Sequence, residues 1–227
     1  MREALLISCP VLVWLITVLQ DLFMLLAWRG WKRTREPLYL LTALVALGLF
    51  YDALILSLGT VMRDGPALAA LSRVRYVAHG ALIPLLFPIC ACALDFKKPW
   101  TTIVWVFTAL LIAAGIAEGF ATELDLREVA GLVRYASGDG TPGWAQAVSG
   151  VLSYGAVVPL ILAGIVVWLR QKTPLLFLSG FLMFAFSALG PATGNFDLIF
   201  FISMFGEVCM ALCFLLYAGR KARISRA

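Results

Sequence analysis

Seven stretches of this chain are apolar for long enough to cross a bilayer, at about 4–28, 38–61, 75–94, 100–120, 147–169, 174–192 and 197–218. A helix rises 1.5 Å per residue, so about 20 residues cover a hydrocarbon core of about 30 Å. In hydrocarbon the backbone must satisfy its own hydrogen bonds, which makes each such stretch a helix. The composition agrees: 62% of the 227 residues are hydrophobic and 14% are charged, where soluble domains carry about 25% charge. The expectation is an all-α membrane protein, a single domain over 1–227 built as a seven-transmembrane-helix bundle. Pro37, Pro99 and Pro174 stand at the starts of three spans, where a missing N–H costs nothing. Pro84, Pro88 and Pro159 fall inside spans and predict kinks.

The basic residues orient the bundle. Twelve (Arg29, Lys32, Arg33, Arg35, Lys97, Lys98, Arg170, Lys172, Arg220, Lys221, Arg223, Arg226) fall on one side, and six (Arg2, Arg63, Arg73, Arg75, Arg127, Arg134) on the other. Asp64, Glu123, Asp125, Glu128 and Asp139 accompany the six. The positive-inside rule then places the N-terminus outside and the C-terminus in the cytoplasm of a multi-pass protein of the plasma membrane. Trp28, Trp31, Trp100, Trp144 and Trp168 fall at span ends, where indole rings prefer the interface. Arg73 and Arg75 are expected there too. The first apolar run is too long for a cleavable signal peptide and its strongest positive charge follows it.

Several function classes drop out. The net charge of +5 is spread over short connecting clusters, so no face for nucleic acid exists. A retinal Schiff base needs a lysine inside a span, and all five lysines lie in connections or the tail. Seven-span zinc hydrolases need several histidines, and His79 is the only one. Cys9, Cys90, Cys92, Cys209 and Cys213 all sit in apolar runs, as small buried hydrophobes do. No metal and no cofactor is expected.

The one long connection, about 120–146, divides in two. Leu126, Val129 and Val133 have helical spacing, which predicts a short surface helix; 137–143 is a turn cluster. The segment reads as a surface helix with a linker, or as a lid over an outward-facing cavity.

Ionisable groups inside spans each cost several kcal/mol unless paired or hydrated, and so mark function. Counted from the span edges, Asp52 and Glu207 both lie about 15 Å below the outer surface. His79, Tyr154, Glu118, Asn195 and Asp197 share that half, while Asp21 lies nearer the cytoplasm beside the first basic connection. Matched depth predicts one cavity shared by Asp52 and Glu207. The competing reading makes both acids interhelical glue, His79 a donor to a backbone carbonyl and Asp197 a helix cap. Aromatic residues surround the acids in sequence: Tyr51, Tyr76, Phe181, Phe184, Phe186, Phe200, Phe201 and Phe205. A buried acid keeps its proton and can donate it, and aromatic faces stabilise carbocations.

This layout resembles the small integral-membrane terpene cyclases of meroterpenoid and indole-terpenoid type, seven-span chains with one acid in the second span and one in the seventh. Asp52, preceded by Tyr51, and Glu207 stand in those spans, with the acid types exchanged relative to the family pattern. The resemblance implies proton-initiated cyclisation of a lipid-soluble polyprenyl epoxide or alkene, with Asp52 and Glu207 catalytic. Tyr51, Tyr76, His79, Tyr154, Phe184, Phe201 and Phe205 would bind substrate, and the partners would be that substrate and membrane lipids. The alternatives are a transporter or sensor of a small apolar or amphipathic ligand, and an accessory subunit.

Overall fold

The computed structural model describes residues 2–62, 64–192 and 199–224. Arg63, Asn195, Asp197 and Arg226 therefore lie outside the described residues. The described residues form eight helices: α1 (Arg2–Thr34), α2 (Pro37–Leu58), α3 (Pro66–Leu82), α4 (Leu86–Ala93), α5 (Trp100–Ala121), α6 (Gly143–Gln171), α7 (Leu175–Ala192) and α8 (Ile199–Ile224). A 3-10 turn, Ile83–Leu85, joins α3 to α4. Pro84 sits in that turn, where its ring breaks the helical ladder, so α3 and α4 form one bent rod. Pro159 instead stays within a continuous α6.

Six of these rods are long and apolar enough to cross a membrane, and Leu175–Leu189 is a shorter apolar helix. The chain is a multi-pass helical membrane bundle. Neighbours follow the order α1, α2, α3/α4, α5, α6, α7, α8, and α8 closes back on α1 while also touching α2. Small residues let the rods approach. Gly80 of α3 and Gly115 of α5 meet so closely that a Cβ on either would overlap the other's backbone. Between α1 and α2, Thr17 and Ser57 hydroxyls share a 2.7 Å hydrogen bond, and Trp14 Nε1 donates to Thr60 Oγ1 at 3.0 Å.

One end of the bundle carries the clustered basic residues. There Lys221 Nζ meets Asp95 at 2.8 Å and also donates to the Cys92 carbonyl; Gln171 Nε2 donates to the Ala93 carbonyl at 3.1 Å.

The other end carries the long connection, and it is not a helix. Strands β1 (Leu124–Val129) and β2 (Leu132–Ser137) pair antiparallel, with Leu124 opposite Ser137 and Val129 opposite Leu132. The two-residue turn has both φ values positive, 58° at Ala130 and 73° at Gly131. That is the geometry two-residue hairpins favour, because its twist matches the strands. The expected surface helix fails because Val129 and Val133 lie across this turn from each other. β2 lies on the bundle: Leu132 is fully buried among Cys9, Val13, Ile16, Ala53, Leu56, Phe201 and Met204. The Val133 N–H donates to the Gly59 carbonyl at 2.9 Å. The hairpin is a plug seated on the helix ends.

Candidate functional site

A cavity of about 320 Å³ lies inside the half of the bundle beneath the hairpin. Its walls come from α2, the α3/α4 rod, α6, α7 and α8. Helical periodicity explains which side chains face it. On α8 the lining residues are Ser203, Glu207 and Met210, spaced four and three apart. On the bent rod they include His79, Leu82, Ile83 and Leu86, and on α2 Val45, Gly48 and Leu49. Tyr154 and Ser153 of α6 and Phe184, Met183 and Ser187 of α7 complete the wall. The surface is mostly apolar, with a few hydroxyls, one imidazole and one carboxyl, the composition of a small-molecule site.

Glu207 is buried, 7% exposed, and its Oε2 has no hydrogen-bond partner. A buried polar atom left unmade costs about 1–3 kcal/mol, more for a charged group. Gln20, Thr42 and Arg134 also carry such atoms, and of these four residues only Glu207 lines the cavity.

Asp52 does not line the cavity. It sits one turn beyond Gly48 and Leu49 on the same stripe of α2, towards the hairpin. Its Oδ1 lies 3.6 Å from Arg75 Nη1, with side chains 17% and 9% exposed. Arg75 also donates to the Tyr135 carbonyl at 3.2 Å and lies 4.9 Å from the Tyr76 ring centre. Arg75 is thus not interfacial. Helix α3 starts at Pro66, well before the expected span, and carries Arg75 into the bundle, where an acid, a carbonyl and a ring replace its water. The Asp52–Arg75 pair stands one helical turn from Gly48 and His79 of the cavity wall and forms a polar cluster at its hairpin end.

The hairpin adds to that cluster. Arg134 stacks 4.1 Å from the Phe200 ring centre. Burial, and then Arg75 beside it, push its guanidinium below its ordinary range. Tyr135 donates from its hydroxyl to Asp64 at 2.5 Å, and this bond holds the phenol above its usual value.

The remaining expected site residues fall in different places. His79, Tyr154 and Phe184 line the cavity with Glu207. Tyr51 donates to the Leu71 carbonyl at 3.2 Å, and Tyr76 stacks under Arg75. Phe201 and Phe205 face away from the cavity: they pack edge to face at 5.3 Å beneath the hairpin. They belong to a different stripe of α8 from Ser203 and Glu207. Phe186 joins them at 6.2 Å from Phe205. Glu118 is buried but satisfied, hydrogen-bonded by Thr122 and Ser149. Arg73 donates to the carbonyls of Gly119, Phe120 and Thr122 and so closes the end of α5. Sequence reasoning passed over Ser153, Ser187 and Ser203, because serine is common in membrane helices and carries no depth signal of its own.

The cavity's exposed members are Ser153, Tyr154, 68% exposed, and Phe184, 45% exposed. Its mouth therefore lies between α6 and α7. Those helices touch backbone to backbone at Gly164 and Phe177, and Gly180 of α7 packs on Ile161 and Leu160 of α6, both towards the basic end. A polar pocket of Ser137, Asp139, Gln146 and Ser149 adjoins the mouth and shares Ser153 and Tyr154 with it.

No family model matches the chain, and no curated protein matches it in sequence.

Proposed function

We propose that this protein is a cofactor-free terpene cyclase of the plasma membrane, with seven spans, the N-terminus outside and the basic end in the cytoplasm. The single observation that carries the reading is Glu207: a buried carboxyl, unpartnered at Oε2, on the wall of an apolar cavity. Asp52 is committed to Arg75, so Glu207 is the donor and the Asp52–Arg75 pair holds the hairpin end of the site.

The substrate is a lipid-soluble polyprenyl epoxide or alkene that enters sideways from the bilayer between α6 and α7. For an epoxide, Glu207 transfers its proton to the ring oxygen as the C–O bond breaks. The π electrons of a neighbouring alkene form the new C–C bond, and the positive charge moves to the far carbon. Tyr154 and Phe184 stabilise that cation through their ring faces, while the apolar wall keeps water from quenching it. The Glu207 carboxylate then removes a proton from the carbon beside the final cation, and an alkene forms. The epoxide oxygen ends as a hydroxyl, Glu207 is regenerated, and the product is an isomer of the substrate.

The test is mass spectrometry of lipid extracts from cells expressing the chain beside a polyprenylated quinone or indole epoxide. An isomeric cyclised product that disappears in Glu207→Gln supports the reading; an unchanged precursor, with the protein present at normal level, overturns it. A second reading, a carrier of a small amphipathic ligand, is favoured by the polar pocket adjoining the cavity mouth. It predicts a precursor that changes compartment without changing structure.

A further inference from the structure

A groove between α1 and α8 opens at the basic end of the bundle, far from the cavity. Three guanidiniums converge on it, Arg29 and Arg33 from α1 and Arg223 from α8, and none of its lining residues is acidic. Arg29 and Arg33 are four apart, so one face of α1 presents both. Tyr39 forms the floor. Gly30 makes room for it, since a Cβ there would lie 2.5 Å from the ring, and Gly219 would bring one within 3.1 Å of the hydroxyl.

Arg33 and three further cations at this end have partners within the protein. Lys32 lies 5.5 Å from the Trp28 ring centre, Arg35 lies 5.0 Å from that of Trp31, and Lys221 pairs with Asp95. Among the described residues, no hydrogen bond or ion pair engages Arg29 or Arg223. The helix dipole favours basic residues in a last turn, but it does not bring cations from two helices together. Three cations around one groove with no acid among its lining make it a favourable place for an anion.

Below the guanidiniums the groove turns apolar, with Leu26, Leu215 and Leu216. Leu26 is 39% and Leu216 50% exposed, and Leu22 and Leu212, one turn further from the basic end, are 45% and 39% exposed. Charge on top of a lipid-facing leucine stripe is the shape of one phospholipid. A second groove on the far side of Leu216 shares Arg223 and adds Arg220 and Ile224. We infer that this α1–α8 groove is a binding site for an anionic phospholipid, its phosphate held by Arg29, Arg33 and Arg223 and an acyl chain lying along Leu26 and Leu216. The inference is independent of the cyclase reading, because it uses none of that site's residues.

Thermal melting and native mass spectrometry of the full chain in detergent micelles test it. Three additions are compared: phosphatidylglycerol, phosphatidylcholine and inorganic phosphate. Phosphatidylglycerol should raise the melting temperature and stay bound in the gas phase, while the other two do neither. Arg29→Gln and Arg223→Gln should each weaken phosphatidylglycerol binding about fivefold. Arg170→Gln, an exposed cation of the same end outside both grooves, should leave it unchanged. Each variant is compared with itself in phosphatidylcholine, so a general loss of stability cancels. Equal effects of the two lipids, an equal shift with inorganic phosphate alone, or unchanged binding in Arg29→Gln and Arg223→Gln would overturn the inference.

Discussion

Helix α8 carries two buried polar side chains ten residues apart, Glu207 and Tyr217, and they are treated in opposite ways. Tyr217 is 1% exposed, donates to Gln171 Oε1 at 3.0 Å and lies 3.4 Å from the Ala93 carbonyl. It is enclosed by Phe214, Ala218, Leu38 and Val167 in the larger core cluster. Glu207 is 7% exposed, has an oxygen with no partner and faces about 320 Å³ of open space. Burial alone therefore does not tell which polar groups the fold itself satisfies. What separates Tyr217 from Glu207 is whether the protein itself supplies the partner. Near the basic end the bundle answers Tyr217 with three helix ends tied together. Near the hairpin end it leaves Glu207 Oε2 without a partner.

The sharpest way to break this contrast is to exchange the chemistry of the two residues. Glu207→Gln keeps the shape and removes the donated proton, so turnover should fall by about 10²–10⁴-fold, measured as product per cell by mass spectrometry. Its melting temperature should not fall. A variant that loses stability together with activity would make Glu207 a structural residue like Tyr217. The next effect in size concerns the pair that closes the site. Asp52→Asn leaves the Arg75 charge buried without its acid and should cost about 3–5 kcal/mol of stability, seen as a lowered melting temperature in detergent. Asp52→Leu combined with Arg75→Met should recover much of that loss; no recovery would mean that the pair is not the source.

Leu132→Ala tests the plug. It removes the hairpin's fully buried anchor and should cost about 2–5 kcal/mol, with the hairpin becoming cleavable by added protease before the helices unfold. Tyr217→Phe should cost about 1–3 kcal/mol, because Gln171 Oε1 keeps its burial and loses its donor. Turnover should stay at the parent level, the reverse of Glu207→Gln. The smallest effect is at Tyr135, whose exposed hydroxyl bond to Asp64 tethers the hairpin edge. The folded phenol titrates above its ordinary value of 10.0, so its contribution is complete at neutral pH and is lost as pH rises past that raised value. Tyr135→Phe should remove this pH dependence, read as protease sensitivity against pH, and leave the hairpin edge at pH 7 about as loose as the parent's above that value.

Much of this molecule is legible without coordinates because lipid leaves few choices. Each apolar run had to be a helix, and Pro37 and Pro99 do stand at helix starts. The depth count also picked out Asp52 and Glu207 as the acids to examine. It could not assign them different roles, since depth along a helix says nothing about rotation around it. Rotation can in fact be read from spacing: Ser203, Glu207 and Met210 form one stripe of α8, and Phe201 with Phe205 another. Which stripe faces the cavity depends on how α8 packs against α2 and α7, and only the assembled bundle decides that. Arg75 was misplaced for a related reason. A lone arginine near a span edge reads as interfacial until an acid on another helix is found beside it.

The hairpin shows the same division more plainly. Its apolar residues fit a helical spacing, and the turn, Ala130-Gly131, lacks the Asn-Gly or Asp-Gly pair that marks such hairpins. Local sequence carried a weak preference, and a contact far away in the chain overrode it. Leu132 finds its burial site only after α1, α2 and α8 have come together. Sequence by itself thus determined the solvent, the helices and the unequal distribution of charge between the two ends, because each follows from the cost of placing a single residue in hydrocarbon. Tertiary structure decided which acid is paired, which faces empty space, and where the chain folds back as strands, because each of those depends on partners that the sequence keeps far apart.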